Sequence, residues 1–414
     1  MKKRASSQRS YDVVLYGATG FVGRQTVAHF AAHADGARWA LAGRSADKLE
    51  QVRQACGPGA ANAGIIVADA ADPKALDALA AQAVVVLSTA GPFALYGSAL
   101  VAACVAHRTH YVDITGETPW VRGLIDRHHA QAARDGTRII PCCGFDSVPS
   151  DLGAWLVAEA VWQQHHEQCV SVKACHSMRG GLNGGTLASA LNLMETGQDK
   201  LLGEPFLLNP PGTAPRNTAE HADPVSAHRD ADFDAWVGPF MMGPVNTRVV
   251  RRTAALLAAR GDAAYGAHFK YQEYMRFGRG PLAAAAAMGV SVGMGVGQAA
   301  MRLKTGRALA RSVAVSPGQG PSERTMDGGS FRCELVGKTA SGKVVRGRVA
   351  GQGDPGNRAT TKFVCESALA LALQLQALPG GERGGGVLTP ASGLGTVLAR
   401  RLIAAGMTLE TMRS

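Results

Sequence analysis

Several features that would define a class of protein are missing from this sequence. Eight cysteines are present, but none forms a CxxC pair or a zinc-finger spacing. Cys169, Cys175 and His176 lack a fourth ligand, so we predict no metal site and reduced, mostly buried thiols. Charged residues make up only 18% of the chain against 46% hydrophobic residues, which excludes a disordered protein.

The sequence also does not predict a signal peptide. The basic N-terminus MKKRASSQRS precedes an apolar run of about five residues that a glycine turn interrupts, too short for a secretory core. We expect a cytoplasmic protein with a disordered lead-in over residues 1–10. At 414 residues, the chain exceeds the size of a single core, so two domains are expected.

Residues 11–24, YDVVLYGATGFVGR, combine an apolar strand, three glycines spaced three apart, and the start of a helix. Gly17, Gly20 and Gly23 fall where the backbone must turn tightly, approach a pyrophosphate, and let the helix pack on the strand. The first helical turn, near Phe21, would direct its free N–H groups at the phosphates. The pattern predicts a bound dinucleotide, contacted by Gly17, Ala18, Thr19, Gly20, Phe21, Val22 and Gly23.

The end of the second predicted strand, residues 38–42, carries no carboxylate. An acidic residue there would hold the ribose 2′-hydroxyl of NAD, whereas an arginine accommodates the 2′-phosphate of NADP. Arg44, Ser45 and, one turn later, Lys48 follow this strand, and the first acidic residue is Asp47. We therefore predict NADP(H) as the cofactor, with Arg44, Ser45 and Lys48 at its 2′-phosphate. The alternative is that Arg44 is a solvated loop residue.

Six predicted strands alternate with helices over the first 150 residues. The strands are residues 13–16, 38–42, 64–68, 83–87, 110–112 and 138–141, and the helices include 21–33, 73–81, 97–106 and 119–134. This order predicts the α/β class, with a doubly wound parallel sheet of the Rossmann type. Ligands of such sheets bind at the carboxyl ends of the strands.

The loops after the third to sixth strands are accordingly expected to line the site. Asp69 and Ala70 would meet the adenine, although a plain helix-entry turn would look similar. The loops at 113–117 and 144–151 would border the face where hydride is transferred. Small residues after the fourth strand would lie at the nicotinamide ribose: Ser88, Thr89, Ala90, Gly91 and Pro92.

Beyond residue 151 the alternation stops, which predicts a second, α+β domain with an antiparallel sheet. We expect a helix at 150–162, a strand at 170–177, and a loop leading into a helix at 180–190. An irregular excursion at 205–245 follows. After it we expect a hairpin of 331–334 with 343–349 and closing helices at 361–378 and 394–405. The predicted units are an NADP-binding domain (11–150), a substrate and dimerisation domain (151–360), and C-terminal helices returning toward the nucleotide (361–414).

The net charge of +11 is concentrated in residues 241–360, which hold 18 Lys and Arg against six acidic residues. Such a block could dock an acidic carrier protein or an anionic membrane surface. Nucleic acid is not predicted, because no aromatic residues interleave with the basic ones.

Within that block, residues 280–301 carry no charge. By length they could span a bilayer, lie on a lipid surface, or pack internally or against a second copy in a homodimer. Their Ala and Gly composition disfavours a span, while Gly289, Gly293 and Gly297 repeat a close-approach helix motif. The flanks are basic: Arg276, Arg279, Arg302, Lys304 and Arg307.

The proton donor is harder to predict, because none of the seven tyrosines has the Lys four residues later that short-chain dehydrogenases use. Tyr96, Tyr111, Asp146 and His176 are candidates by location, and each has a structural alternative: a helix start, a strand residue, a cap and a sheet residue. Tyr96 and Asp146 are the predicted catalytic residues.

Five motifs occur in order over residues 11–151: GATGFVGR, LAGRS, STAGPFALYG, HYVDITGE and CGFDSVPSDLG. In these the chain resembles the saccharopine dehydrogenase-like oxidoreductases, and it is most similar to their trans-acting enoyl reductase branch. GGLNGGTLAS and VLTPASGLG extend the resemblance to the second half. The resemblance implies an NADPH-binding domain and reduction of a carbon–carbon double bond on a polyketide or fatty acyl chain, free or carrier-bound. It also implies an association of relatives with lipid droplets or membranes.

Two other functions stay open at this point. One is a saccharopine-type dehydrogenase acting on the secondary amine of an amino acid, for which a polar pocket with paired arginines is expected. The other is a non-catalytic NADP-binding protein at a lipid or membrane surface.

Overall fold

The computed structural model describes residues 9–181, 184–312 and 318–413. Most of the disordered lead-in predicted for residues 1–10 lies outside the described residues. Its end is ordered, since Arg9 donates hydrogen bonds to the carbonyls of Ala80 and His107 at 2.8 and 2.6 Å.

The first half alternates strands and helices as predicted. The elements are β1 (Tyr11–Tyr16), α1 (Phe21–His33), β2 (Trp39–Gly43), α2 (Ala46–Ala55), β3 (Gly64–Val67), α3 (Pro73–Gln82), β4 (Ala83–Ser88), α4 (Phe93–Ala106), β5 (His110–Asp113), α5 (Thr118–Asp135), β6 (Arg138–Ile140) and α6 (Val148–His165).

The second half is mixed. It contains β7 (Cys169–Arg179), α7 (Gly184–Glu195), β8 (His228–Asp230), β9 (Ala235–Pro239), α8 (Gly243–Ala258), β10 (Tyr265–Gly278), α9 (Gly280–Met301), α10 (Lys304–Ser312), α11 (Glu323–Asp327), β11 (Ser330–Thr339), β12 (Val344–Gln352), α12 (Thr360–Leu373), β13 (Gly386–Val387), α13 (Pro390–Ala404) and β14 (Thr408–Arg413).

Sheet A is parallel, with the strand order β13-β6-β5-β4-β1-β2-β3. Its central strands are buried on both faces, as in β1, where Val13, Val14 and Leu15 are at most 1% exposed, and helices cover both sides. This confirms the doubly wound α/β class. The seventh strand, β13, was not predicted, because two residues give no periodicity to read.

Sheet B has the order β14-β12-β11-β7-β10-β9-β8. β7 and β10 pair in parallel, and the other pairs are antiparallel, so the sheet is mixed rather than purely antiparallel. The hairpin of β11 and β12 is longer than predicted. The irregular excursion predicted for 205–245 was wrong in part, since it contains β8 and β9, short strands among Asp and Gly residues.

The C-terminal segment contributes to both halves. α12 packs on α1 and on strands β1, β4 and β5 of sheet A, whereas α13 packs on α12 and α6. β13 then joins sheet A and β14 joins sheet B. The domain boundaries given above stay a prediction.

Three buried arginines of α8 hold the long connection between α7 and β8. Arg248 donates to the carbonyl of Glu204 and forms an ion pair with Asp223. Arg251 donates to the carbonyls of Pro205 and His221. Arg252 donates to the carbonyl of Leu208 and also to that of Val387 in β13. Burial lowers the pKa of Arg251 to about 10 and that of Arg252 to about 9. Part of the predicted positive surface therefore lies inside the molecule.

α9 spans the uncharged segment but is not a core helix. Only Ala284 and Ala287 of α9 are buried. By length and composition α9 is the one helix among the described residues that could cross a membrane, and 17% of its most apolar window is buried. Burial within the chain, one of the three alternatives for 280–301, is therefore excluded for most of this helix.

Asp151 joins three helices in the interior. In α6, its carboxylate accepts hydrogen bonds from the Thr253 hydroxyl of α8 and, at 2.8 Å, from the Ala391 N–H at the start of α13. Burial raises the pKa of this carboxyl from 3.8 to about 7. Asp151 was expected to border the reactive face, but it is structural.

Asp151→Ala is expected to lower the free energy of unfolding by about 2–4 kcal/mol, because it leaves the Ala391 N–H buried without an acceptor. Asp151→Asn keeps one acceptor, and the Thr253 hydroxyl can turn to accept, so its loss should be at most about half as large. Denaturant unfolding of the purified proteins measures both.

The raised pKa of Asp151 makes the free energy of unfolding depend on pH in a defined direction. The unfolded carboxyl ionises near 3.8 and the folded one near 7, so the folded state holds the extra proton in between and stability falls as pH rises through that window. Asp151→Asn should lack this fall. Equal unfolding midpoints for wild type and Asp151→Ala would contradict the structural role.

Candidate active site

One cavity of about 940 Å³ joins the carboxyl edge of sheet A to the second half of the chain. Its floor is formed by the loops after β1 to β6, and its roof by β7, α7 and the segment between β9 and α8. Strand order reverses between β1 and β4, which is where doubly wound sheets bind ligands.

The glycine turn fits a pyrophosphate. Gly17 has φ +84°, and a Cβ there would lie 2.9 Å from the Ala90 backbone N. A Cβ on Gly20 would meet one protein atom within 4 Å, the Gly17 carbonyl O at 3.3 Å, and otherwise the cavity. A Cβ on Gly23 would lie 2.1 Å from that carbonyl, so Gly23 allows α1 to pack on the turn.

No side chain caps α1 and no acidic residue lies in its first turn, so its first N–H groups are free for a phosphate. Thr19, Phe21 and Val22 line the cavity with Gly17 and Gly20. Ala18 is buried behind the turn, donating its N–H to the Ala42 carbonyl, and Gly23 is a packing position.

The edge predicted to bind the 2′-phosphate is open and cationic. Arg44 is exposed, lines the cavity, and makes no ion pair within the parts of the chain the structure describes. Ser45 instead caps α2, its hydroxyl accepting from the Lys48 N–H at 3.5 Å. The exposed Lys48 does not line the cavity, whereas Asp69 and Ala70 do. Asp69 also accepts from the Ala71 N–H at 2.9 Å, so it lines the cavity and forms a helix-entry turn.

Thr89, Ala90, Gly91 and Pro92 line the cavity, while Ser88 is buried behind them and accepts from the Ala90 N–H. The sequence placed the start of α4 at Gly97, and this was wrong: α4 begins at Phe93.

α4 starts earlier than predicted because of Glu117, a residue to which we assigned no role of its own from the sequence. Its buried carboxylate lines the cavity and accepts from the N–H groups of Phe93 and Ala94 at 2.8 and 2.9 Å, capping α4 from another loop. The Ser189 hydroxyl of α7 donates to it at 2.7 Å, so Glu117 also joins the two halves of the cavity.

The four proton-donor candidates separate clearly. Tyr96 and Asp146 line the cavity. Tyr111 is fully buried in the core of sheet A, so it is a strand residue, as the structural alternative held. His176 is 1% exposed and does not line the cavity.

Asp146 is the best placed acid. No hydrogen bond to its carboxyl occurs within the described residues, and burial, with the nearby charge of Glu273 as a second cause, raises its pKa from 3.8 to about 6. Tyr96 is 48% exposed in the first turn of α4.

Behind the cavity, Glu273 is the centre of a buried polar network. Its carboxylate accepts from the Ser150 hydroxyl at 2.8 Å, the Asn246 amide at 2.8 Å and the Tyr271 hydroxyl at 2.9 Å, and His176 lies 3.6 Å away. The His176 ring stacks on Phe240, which lines the cavity, with centroids 4.3 Å apart. Of this network only His176 was predicted to lie near the site, because the members come from four separate elements, α6, α8, β7 and β10.

The second half of the chain supplies an apolar wall that the sequence analysis also missed. The motif GGLNGGTLAS leads into α7, which carries Leu193 and Met194 of this wall, and residues 182–183 of that motif lie outside the described residues. The wall consists of Met178, Leu193, Met194, Leu202, Phe240, Met241, Met242 and Val245.

Comparison with known proteins identifies the first half of the chain as an NADP-binding domain. Residues 13–140 match the model of the saccharopine dehydrogenase NADP binding domain. The fold and the NADP site thus define an NADP-dependent oxidoreductase of the saccharopine dehydrogenase-like class.

Curated relatives match the whole chain. A Mycobacterium tuberculosis protein whose name places it among trans-acting enoyl reductases is 41% identical over 424 positions, covering 99% of each chain. Trans-acting enoyl reductases of Mycobacterium bovis and Mycobacterium ulcerans are 39% and 38% identical, each covering at least 98% of both chains. Apo saccharopine dehydrogenase (L-Glu forming) from Saccharomyces cerevisiae is similar over 97% of this chain and 99% of its own, with 12% identity and a TM-score of 0.49. The chain belongs to the trans-acting enoyl reductase family, and NADP(H) is its cofactor.

Arg44→Glu is expected to weaken NADPH binding by about 10- to 100-fold while changing NADH binding little, because the guanidinium can pair only with the 2′-phosphate. Titration of nucleotide fluorescence measures both affinities. Lys74→Glu on α3, exposed and outside the cavity, is the matched control. Equal losses for NADPH and NADH would mean that Arg44 is not the selective contact.

Proposed function

We propose that this protein reduces the carbon–carbon double bond of an apolar acyl or polyketide thioester, free or held by a carrier protein, with NADPH as the reductant. The observation that carries the proposal is the lining of the cavity. Beyond the nucleotide loops its wall is built of methionine, leucine and aromatic side chains, the lining typical of apolar ligand sites.

The charges of the cavity support the same substrate class. Among the described residues that line it, Arg44 at the nucleotide end is the single cation. A secondary amine with several carboxylates, such as saccharopine, needs cationic partners for them, and the paired arginines expected for that alternative do not occur in the described lining. The amino-acid dehydrogenase alternative is therefore disfavoured.

The second reactant in such a reduction is a proton. When bound, NADPH supplies the hydride. Asp146 lies on the cavity wall with a pKa raised to about 6, so its protonated form, which is populated near and below that pH, can donate a proton to the other carbon of the double bond. The network of Glu273 behind the wall fixes β10, α6 and α8 around this position. Tyr96, also on the wall, is the second donor to test.

Purified protein is expected to oxidise NADPH with 2,3-unsaturated acyl thioesters, and kcat/KM should rise with chain length. Each buried CH₂ contributes up to about 4-fold, the equivalent of its transfer free energy. Met241→Glu, at a cavity-lining side chain 47% exposed, should lower kcat/KM for long chains at least 10-fold and leave NADPH affinity unchanged.

Val225→Glu is the matched control, since Val225 is 79% exposed and lies outside the cavity. NADPH binding without turnover on any thioester would favour the non-catalytic alternative. Turnover confined to amino-acid secondary amines would overturn the proposal.

Asp146→Asn is expected to lower kcat by about 10²- to 10⁴-fold, the usual contribution of a general acid. In the wild type, kcat/KM should fall as pH rises above about 6, because the donor of the free enzyme must be protonated. The variant should lack this limb, and its affinity for NADPH should be unchanged. A pH profile of Asp146→Asn that retains the wild-type limb would assign the donor to another group, with Tyr96→Phe as the next variant.

A further inference from the structure

α9 presents an apolar surface to solvent. Its two buried residues, Ala284 and Ala287, lie near β9, where a Cβ on Gly238 would be 3.5 Å from the Ala287 carbonyl O. Farther along, Val292 and Val296 are 66% and 63% exposed. The second half of α9 therefore leaves most of its apolar side chains exposed in the part of the chain that the structure describes.

α10 folds back across the end of α9. The crossing is close, since a Cβ on Gly306 would lie 2.0 Å from the Ala300 carbonyl O. α10 adds further apolar surface, with Leu303, just before it, 61% exposed and Leu309 67% exposed. The two helices form one exposed element, here called the α9–α10 hairpin, residues 280–312.

Three positively charged side chains lie at the turn of this hairpin. Arg302 and Lys304 make no ion pair within the described residues, and Arg307 donates to the Met301 and Arg302 carbonyls at 2.9 and 3.0 Å without an acidic partner. At the other end of α9 the cations are neutralised, because Arg276 pairs with Glu334 and Arg279 with Asp234. Uncompensated charge therefore lies beside exposed apolar side chains.

The cavity extends to the end of α9. Gln298 of α9 lines it, together with Gly318 after the hairpin. Arg311 of α10 pairs with Glu195 at the end of α7, and Leu193 and Met194 of α7 belong to the apolar wall. The hairpin thus borders the cavity beside its apolar wall.

We propose that the α9–α10 hairpin docks on an anionic lipid surface and lies in the plane of that surface, with the cavity opening toward it. Apolar side chains would enter the interface while Arg302, Lys304 and Arg307 meet lipid phosphates. A span is disfavoured, because Ala284 and Ala287 are packed on the protein. That the surface supplies the acyl chain rests on the proposed function, whereas the docking itself does not.

A second copy of the chain is the competing occupant. Cβ atoms on Gly289, Gly293 and Gly297 would meet nothing within 4 Å, and such a stripe permits close approach of a helix. However, residues 280–312 contain no acidic residue, so a second copy packed on this surface would bring three more cations and no charge to pair with them. Anionic lipid would neutralise these cations.

The test is binding of the full chain to vesicles of phosphatidylcholine with and without phosphatidylglycerol, measured by flotation. Wild type should bind the anionic vesicles, and added salt should weaken binding. Arg302→Glu with Lys304→Glu should weaken it at least about 25-fold, and Val292→Glu with Val296→Glu should abolish it. None of these four residues lines the cavity, so turnover of a short, soluble thioester should be unchanged.

Lys74→Glu and Val225→Glu are the matched controls for charge and for apolar exposure, and both should bind as wild type. Failure of wild type to bind anionic vesicles, or equal binding by the hairpin variants, would overturn the docking. A dimer that dissociates in the Val292→Glu, Val296→Glu variant without any vesicle binding would assign α9 to a second copy and also overturn it. Vesicle binding with no turnover on any thioester would refute the proposed function and leave the docking intact.

Discussion

The close approach of two loops at the edge of sheet A is the constraint on which the rest of the site depends. Gly17 has φ +84°, and a Cβ there would lie only 2.9 Å from the Ala90 backbone N. Beside it, the Thr89 N–H donates to the Tyr16 carbonyl at 2.9 Å. No other residue would let the loops after β1 and β4 meet this way. Their contact forms the floor of the cavity and brings the phosphate site beside the reactive face.

From this floor the second half of the chain is held in place by buried polar groups rather than by apolar packing alone. Glu117 caps α4 and accepts from Ser189, Asp151 joins α6, α8 and α13, and the arginines of α8 satisfy the carbonyls of the segment that carries Leu202. These contacts bridge residues far apart in sequence. They explain how a segment with little regular structure can form a fixed wall of the cavity.

The sequence was sufficient for strands β1 to β6 of sheet A, because each of them is a local apolar run. The glycine spacing and Arg44 are local patterns too, and they predict the phosphate edge of the site. The start of α4 was missed because its cap, Glu117, comes from a distant loop. β8 and β13 were missed because neither HRD nor the two-residue GV forms an apolar run, and β9 because it is a short strand among Asp and Gly residues.

The charge pattern shows the same limit. A count of basic residues cannot separate Arg252, buried and bonded to carbonyls, from Arg302, exposed and unpaired within the described part of the chain. Likewise, the motif loop at 144–151 contains both Asp146, which faces the cavity, and Asp151, which faces the core. Burial decides the role in each case, and burial follows from contacts across the whole fold.

The central claim is that one cavity brings NADPH and an apolar acyl chain together. The most direct measurement uses NADPH carrying deuterium at nicotinamide C4 with a long-chain 2,3-unsaturated thioester, followed by mass spectrometry of the acyl product. The expected product is a saturated acyl chain that has gained one deuterium from the nucleotide and one proton from solvent. A product without deuterium, or no saturated product while NADPH stays bound, would contradict it.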